Sequence, residues 1–325
     1  MEIFYSGYSS NFDGPADRRR FLYYAKERKI PFNFYSKSTR SGLVISNPFS
    51  SNLKRVVSLA KRKKIFLVFE AIDSLFLETI FCKYHILKSI KEFRFNYKLI
   101  NDAFRYSSSI IVSNNIQREY LISQGFRNIH VIPDYSFEYK KTSNLKSLKY
   151  KKKLNLGWEG MGINIKAIKE IVPYKIHENN NLIVITDKNA LRYLSNLFKS
   201  FTFFEWDKLK HIENIQSADV MLIPVFSNSW IHMAKPATRI RHYFNMEKPV
   251  LAYPSSANKL EMEKAGVGEF CAPIDLWPKL INLLKNPEIR KDYISRIVEY
   301  KKIFLSDKYI DSKWEVLLYE YNKKF

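Results

Sequence analysis

The strongest constraint on the fold is a regular alternation of short apolar segments with amphipathic helical segments, and this alternation occurs twice. The first series runs from Glu2 to about Asp134, and the second starts at about Lys153. The connecting residues 137–152 are polar and rich in Lys, which is typical of a linker between domains. Strands that alternate with helices favour parallel sheets covered by helices on both faces.

The strand candidates in both series are short and bounded by turn-forming or polar residues, and many are rich in Ile, Val and Phe. They are residues 2–6, 32–35, 43–46, 65–69, 109–113 and 128–132, then 153–158, 182–186, 202–206, 220–224, 249–253 and 269–272. The helical candidates are residues 16–28, 51–63, 83–105 and 116–124, then 163–171, 190–198, 211–216, 237–245 and 259–265, with a long helical tail from Trp277. The sequence therefore predicts two tandem α/β domains with a ligand cleft between them, at the carboxyl ends of the strands.

Several classes of protein do not fit this sequence. No stretch approaches the roughly 18 apolar residues of a membrane span, and the first residues lack the pattern of a secretory signal. Cys82 and Cys271 match no C-x-x-C or zinc pattern, and the six His have no metal-ligand spacing. We therefore expect a cytoplasmic protein without a metal site.

The chain has 54 Lys and Arg against 32 Asp and Glu, a formal net charge of +22, and most of this excess lies in the first half. Residues 1–153 contain 29 basic and 12 acidic residues, a net of +17, whereas residues 154–325 contain 25 and 20, a net of +5. Such an excess attracts nucleic acid, an acidic membrane surface or phosphorylated small molecules. No zinc finger, RNP-like motif or helix-turn-helix accompanies it, so sequence-specific nucleic-acid binding has no second signal.

One basic run in the first half is a candidate contact for an acceptor or for a membrane surface. It consists of Lys61, Arg62, Lys63 and Lys64. The alternative interpretation is a solvated face of an ordinary Lys-rich surface. Both interpretations stay open from the sequence.

The most informative stretch is residues 217–252. It reads Ser-Ala-Asp-Val-Met-Leu-Ile-Pro from position 217, Lys-Pro-Ala-Thr-Arg from position 235 and Lys-Pro-Val-Leu-Ala from position 248. This order resembles the C-terminal half of GT-B glycosyltransferases, of the family-4-like "glycosyl transferases group 1" type, which use nucleotide-sugar donors. Lys235 and Arg239 are four residues apart, and we expect them on one face at a helix N-terminus, where a diphosphate binds. The alternative is two ordinary surface cations.

The resemblance extends to residues 155–162, which look like the glycine-bearing first strand and turn of the donor domain. Gly157, Trp158 and Gly160 are the donor-binding candidates there. The two glycines lack side chains, so the backbone of this turn can approach a phosphate. Trp206 occupies the place where such enzymes contact the nucleotide base.

In the first half, residues 107–113 and 125–133 resemble the end of the acceptor domain. The resemblance therefore spans most of the chain and implies two Rossmann-like domains that face an interdomain cleft. It also implies a C-terminal helix that crosses back to the first domain. The expected domains are residues 1–136 with the helix 305–325 on the acceptor side, a linker at 137–152, and a nucleotide-sugar donor domain at 153–304.

The sequence departs from the family pattern at the glutamate pair of the donor domain. Many of these enzymes have two glutamates eight residues apart, the second of which holds the ribose. The position of the second is His242 here, and the first has no clear counterpart. His242 could hydrogen-bond a hydroxyl, or it could be a packed helix residue. Glu247 also replaces the glycine that usually precedes the Lys-Pro-Val run.

The catalytic candidates are carboxylates at the ends of strands in the basic half. Asp73 follows the strand candidate 65–69, and Asp13 lies in the loop after the first strand. Either could act as a general base on an acceptor hydroxyl, and either could simply cap a helix or close a turn. No Asp-x-Asp pair is present, which agrees with the metal-independent chemistry of GT-B enzymes.

The resemblance implies a cytoplasmic, metal-independent glycosyltransferase in cell-surface polysaccharide biosynthesis. Its partners would be a nucleoside-diphosphate sugar as donor substrate, with no cofactor, and a glycan or lipid-linked glycan acceptor, with possible peripheral contact to the inner membrane face. One alternative is a non-catalytic polyanion-binding or nucleic-acid-binding protein on a degenerate transferase fold. Another is a transferase that acts on nucleic acid.

Overall fold

The computed structural model describes residues 2–7, 15–48, 50–71, 97–135, 148–207, 210–224 and 235–323. The chain divides into two compact units. The first unit comprises Met1–Tyr135, Ala234–Pro236 and Ser306–Phe325, and the second comprises Ser136–Met233 and Ala237–Leu305. Each unit contains one parallel sheet flanked by helices. The prediction of an α/β protein with two Rossmann-like domains is therefore confirmed.

The sheet of the first unit has the strand order β2-β1-β3-β4-β5-β6, and every pairing is parallel. Two of its inner strands, β3 and β5, are buried along their whole length because both faces are covered. The strands are β1 (Ile3–Ser6), β2 (Asn33–Phe34), β3 (Leu43–Ser46), β4 (Phe66–Glu70), β5 (Ser109–Val112) and β6 (Ile129–Val131), and the helices are α1 (Pro15–Arg18), α2 (Phe21–Glu27), α3 (Leu53–Lys61), α4 (Tyr97–Tyr106) and α5 (Asn115–Ser123).

The sheet of the second unit has the strand order β11-β10-β7-β8-β9, again with parallel pairing throughout. Its strands are β7 (Asn155–Glu159), β8 (Asn181–Thr186), β9 (Thr202–Glu205), β10 (Val220–Ile223) and β11 (Val250–Ala252). Its helices are α6 (Leu191–Leu197), α7 (His211–Gln216), α8 (Thr238–Asn245), α9 (Ser256–Lys264), α10 (Trp277–Leu284) and α11 (Pro287–Phe304).

One further helix, α12 (Asp307–Asn322), belongs to the first unit. Trp314 is fully buried and packs against the rings of Phe21 and Tyr24, with centroids 5.5 and 5.9 Å away. The Tyr321 hydroxyl donates to Ser109 Oγ at 2.9 Å. This helix therefore completes the hydrophobic core and one buried hydrogen bond of the first unit.

Four expected elements differ from the structure. The helix expected at 16–28 is divided into α1 and α2. The predicted strand at 269–272 is wrong: a 3₁₀ turn at Gly268–Phe270 is followed by a single bridge between Ala252 and Cys271. Residues 162–174 form a 3₁₀ helix, and Pro173 lies within it, where a continuous α-helix would need its missing N–H. The tail from Trp277 is three helices, because Asn286 and Ser306 each cap a new helix start.

No helix in the described parts of the chain is long and apolar enough to cross a membrane. The described residues also contain no group of three or more His, Cys, Asp or Glu side chains that could hold a metal ion. Cys271 is a free thiol, and Cys82 lies outside the described residues.

Candidate functional site

The strand order of the second sheet reverses between β7 and β10, which are neighbours. In open parallel α/β sheets, ligands bind outside the carboxyl ends of the strands at such a reversal. β7 ends at Glu159, and the next strands along the sheet lead into Asp187 and Trp206. The side chains at this edge therefore form the first candidate site.

Glu159 is the hydrogen-bonding centre of this edge. Its Oε1 accepts from Trp206 Nε1–H at 3.2 Å, and its Oε2 accepts a longer bond from the Tyr243 hydroxyl at 3.4 Å. Burial raises the pKa of the Glu159 carboxyl, while the nearby His211 and Arg239 and the two hydrogen bonds favour the ionised form. The carboxyl thus links β7, the end of β9 and helix α8.

Three rings lie side by side next to this carboxylate. Trp206 stacks on His211 with centroids 5.6 Å apart, and His211 stacks on His242 at 6.2 Å with only 8° between the ring planes. Trp206 is 46% exposed, so one part of the indole remains open to a ligand while its N–H is held by Glu159. His242 is a packed member of this stack, one of the two roles that its sequence position allowed.

Arg239 lies in the first turn of α8, and its Nη2 is 3.5 Å from the position that a Cβ on Gly160 would occupy. The guanidinium therefore lies over the turn that follows β7. Lys235 is exposed and precedes the helix, which begins at Thr238. The prediction that Lys235 and Arg239 share a helix face is wrong, because only Arg239 is helical.

The glycine and tryptophan candidates in β7 and in the turn after it have packing roles that the sequence did not indicate. A Cβ on Gly157 would lie 2.5 Å from Met221 Sδ and 2.8 Å from Ala218 Cβ, so this glycine allows β7 to pack closely. A Cβ on Gly160 would lie 2.7 Å from the Trp158 ring. Trp158 is fully buried, which leaves its indole no surface for a donor. The interpretation of Trp158 as a donor contact is therefore corrected to a core residue.

The turn before β11 shows why glycine is usual at the position that Glu247 occupies here. Glu247 has φ of +57°, a left-handed conformation that favours glycine. Its buried carboxylate pairs with Lys301 Nζ at 3.1 Å. Lys248 donates to the carbonyls of Gln216 and Ala218, both at 2.8 Å. This part of the motif is structural: it fixes the end of α7 against the start of β11.

In the first unit, the carboxylate candidates Asp13 and Asp73 lie outside the described residues. The described carboxyl edge of the first sheet holds a buried polar cluster instead. The Tyr5 hydroxyl donates to Asp17 Oδ1 at 2.7 Å, and Arg20 pairs with Asp134 at 2.8 Å.

Glu70, at the end of β4, is a buried carboxyl within this cluster. It is fully buried, and neither carboxyl oxygen has a hydrogen-bond partner among the described residues. Burial raises the pKa of Glu70 to about 8, although Arg20 favours the ionised form. Glu70 is therefore mainly protonated at neutral pH.

The basic run occupies the opposite edge of the same sheet. It forms the turn between α3 and β4, and all of its side chains are exposed. Lys61 Nζ lies 5.3 Å from the centroid of the Tyr106 ring. These side chains, Lys61, Arg62, Lys63 and Lys64, therefore lie at the amino ends of the strands and away from the carboxyl edge.

No protein-family model and no curated protein matches this sequence. Solved structures do match the fold. HepE from Anabaena, solved in complex with UDP-glucose, has a TM-score of 0.58 at 14% identity, over 98% of this chain and 99% of that protein. The lipopolysaccharide outer core galactosyltransferase WaaB has a TM-score of 0.55 at 10% identity, over 98% and 99%.

A third neighbour is longer than this chain. TarM from S. aureus, solved as a mutant in complex with fondaparinux, alpha-GlcNAc-glycerol and UDP, has a TM-score of 0.56 at 12% identity. The match covers 85% of this chain but only 55% of TarM. Together these similarities show that the chain has the same fold as these proteins, the GT-B fold.

Three members of the site were absent from the sequence prediction: Glu159, His211 and Tyr243. Glu159 carried one usable signal, its place at the carboxyl end of a strand next to a glycine-containing turn. His211 and Tyr243 carried none, because their nearness to Glu159 depends on how α7 and α8 pack on the sheet.

Proposed function

We propose that the protein is a glycosyltransferase that binds a nucleoside-diphosphate sugar at the carboxyl edge of its second sheet. The observation that carries the proposal is the convergence of Arg239, the half-exposed Trp206 and the Glu159 carboxylate where the strand order reverses. GT-B neighbours solved with UDP or UDP-glucose support a nucleotide-sugar donor.

Arg239 would bind the diphosphate. Its guanidinium lies over the turn after β7, and the first N–H groups of α8 add a favourable dipole for an anion. The exposed Lys235 would contribute a second cation. Because cationic side chains neutralise the departing diphosphate in this arrangement, we propose metal-independent transfer.

Trp206 would provide a stacking surface for the nucleotide base, since its N–H is already bound and part of its ring is exposed. Glu159 uses only part of its acceptor capacity on Trp206 and Tyr243, because a carboxylate can accept about four hydrogen bonds. A hydroxyl group of the sugar nucleotide could donate a further hydrogen bond to this carboxylate.

The acceptor would bind to residues 1–136, with Asp13 and Asp73 as candidate bases. The net charge of +17 over residues 1–153 supports an anionic acceptor or a nearby acidic membrane surface. We propose a glycan or lipid-linked glycan acceptor in cell-surface polysaccharide biosynthesis, reached from the cytoplasm at the inner face of the membrane.

The test is titration calorimetry with UDP, GDP, ADP and their sugar conjugates against wild type and Arg239→Ala. We expect one nucleotide to bind and Arg239→Ala to weaken it at least tenfold. The control is Arg192→Ala, an exposed arginine on α6, which should leave the affinity within about twofold. If Arg239→Ala bound the nucleotide as tightly as wild type, the donor site would not be at Arg239.

A second candidate is a non-catalytic polyanion-binding protein on the same fold, or a transferase that acts on nucleic acid. The absence of the family's glutamate pair from the sequence and the basic first half favour it. Salt-dependent DNA binding without stabilisation by any sugar nucleotide would support the non-catalytic form. Sugar transfer to a DNA or RNA acceptor would support the other form.

A further inference from the structure

A cavity lies on the edge of the second sheet opposite the candidate donor site. It has a volume of about 880 Å³ and opens at the amino ends of three neighbouring strands, next to Asn155, Asn181 and Thr202. Since β7 is five residues long, this edge lies roughly 16 Å from the carboxyl edge. The cavity is thus separate from the candidate donor site, and its volume is within the usual range for ligand pockets.

Three lysines from three different chain segments line this cavity. Lys153 precedes β7, Lys175 follows the 3₁₀ helix, and Lys199 follows α6. None of them forms an ion pair with a described carboxylate within 4 Å. Glu178 is the one acidic residue of the described lining. The cavity therefore carries an excess of positive charge that the described residues leave uncompensated.

Two further features of the cavity lining are the left-handed backbone of Lys175 and a buried ring nitrogen of His177. Lys175 has a φ of +52°, and such a position usually favours glycine or asparagine. The nearby His177 also lines the cavity, and its buried Nδ1 has no hydrogen-bond partner among the described residues. Burial lowers the pKa of His177, so at neutral pH the ring can offer a neutral donor or acceptor to a ligand.

Three asparagine side chains that line the cavity are held in place by hydrogen bonds within the protein. Asn180 Oδ1 accepts from the Leu154 N–H at 3.2 Å, and its Nδ2 donates to the Ile176 carbonyl at 3.0 Å. Asn181 Nδ2 donates to Asn155 Oδ1 at 2.9 Å. These bonds fix the amide side chains before any ligand arrives, which lowers the entropy cost of binding.

The remaining lining mixes apolar and hydroxyl groups. Val172, Leu197 and Phe201 present carbon surfaces, while Ser200 and Thr202 present hydroxyls. Such a mixture matches the apolar faces and hydroxyl edges of sugar rings. A single-stranded nucleic acid would need a series of aromatic platforms, and Phe201 and His177 are the only aromatic rings in the described lining.

We propose that this cavity binds an anionic oligosaccharide, whose carboxylate, sulfate or phosphate groups pair with Lys153, Lys175 and Lys199. The proposal goes beyond the donor site, because it assigns a second binding site at the other edge of the same sheet. Both sites can be occupied at once, so a charged glycan chain can be held while a donor is bound.

The experiment compares two triple variants of equal charge. One is Lys153→Gln, Lys175→Gln and Lys199→Gln together. The control is Lys259→Gln, Lys279→Gln and Lys291→Gln, exposed lysines of the second unit that do not line the cavity. The probe is tetragalacturonic acid, titrated at about 150 mM salt, with maltotetraose as the neutral comparison.

We expect the cavity variant to lose at least tenfold in affinity for tetragalacturonic acid and the control to lose less than threefold. Hydrogen exchange should also slow in residues 172–182 when the probe is added to wild type. Equal losses in the two variants, or no measurable binding, would overturn the proposal. A deoxythymidine tetranucleotide that binds more tightly than the saccharide through the same lysines would overturn the assignment of the ligand class.

Discussion

The Trp206 indole donates its N–H to Glu159 at 3.2 Å, and this bond joins the end of β9 to the end of β7. It holds a half-exposed aromatic ring in a fixed orientation at the edge where the strand order reverses. A ring held in this way can accept a planar ligand with little further loss of side-chain entropy.

We therefore predict that Trp206→Ala weakens nucleotide binding about tenfold or more, since stacking of one base on an aromatic side chain contributes about 1–3 kcal/mol. Trp206→Phe keeps a ring but loses the N–H donor, and we expect a smaller loss. Titration calorimetry with the nucleotide that binds wild type measures both. If Trp206→Ala binds as well as wild type, this indole is not part of the base site.

The second prediction concerns Glu70, whose pKa burial raises to about 8. Its folded pKa lies above that of the unfolded chain, so the folded state holds a proton that the unfolded state releases. Stability should therefore decrease as pH rises from about 5 to 8, by up to about 1.4 kcal/mol per pH unit for one proton. The charged groups around it are Arg20, Asp17 and Asp134.

Glu70→Gln cannot ionise and should remove this dependence. We expect the variant to gain in stability relative to wild type between pH 5.5 and pH 8.5, as followed by urea unfolding at several pH values. Parallel plots of unfolding free energy against pH for the two proteins would show that Glu70 is already ionised in the folded protein across this range.

The third prediction uses the left-handed backbone of Glu247. Glu247→Ala loses the ion pair with Lys301 and keeps the unfavourable φ of +57°, so it should destabilise the protein by about 1–3 kcal/mol. Glu247→Gly loses the same pair but adopts this φ without strain, and it should be more stable than the alanine variant by about 1 kcal/mol. Thermal unfolding compares the pair directly. An alanine variant as stable as the glycine variant would argue against strain at this position.

The fourth prediction concerns Asp311 on α12. Its carboxylate accepts from Arg28 Nε and from the Tyr135 hydroxyl, both at 2.6 Å. Asp311→Ala leaves a buried hydroxyl and a guanidinium without this acceptor, and we expect a loss of about 1–3 kcal/mol. The control is Asp307→Ala, whose carboxylate is 40% exposed, accepts from the Tyr23 hydroxyl at 3.1 Å and lies 3.8 Å from Arg28 Nη2, with a smaller expected loss of about 0.5–1 kcal/mol. Urea unfolding of both variants is the measurement, and equal losses would contradict a special role for Asp311.

The sheet strands were largely predictable because their signal is local. Residues 43–46 and 220–223 are short apolar runs between polar segments, and both are buried strands. Residues 269–272 have a similar composition but pair through one bridge alone. They do not form a strand because the 3₁₀ turn Gly268–Phe270 takes up their first two residues, and apolar composition alone does not reveal such a turn.

The site was predictable only in part, because burial is a tertiary property. Trp158 and Trp206 follow similar strand-end patterns in the sequence, yet one is fully buried and the other is half exposed. Gly157 looked like a phosphate-approach glycine, but its neighbour is Met221 on the adjacent strand. Arg239 was correctly expected in the first turn of a helix, whereas the Glu159 cluster required the packing of β7, β9, α7 and α8 together.

Because α12 supplies Trp314 and Tyr321 to the first unit, that unit is built from segments that lie far apart in the sequence. During synthesis, a nascent chain that extends to Leu305 already contains every segment of the second unit. Most of the first unit is synthesised earlier, but the core surface that Trp314 and Tyr321 cover stays exposed until residues 306–325 have left the ribosome. Truncation within α12 would therefore damage the half of the protein that is encoded first.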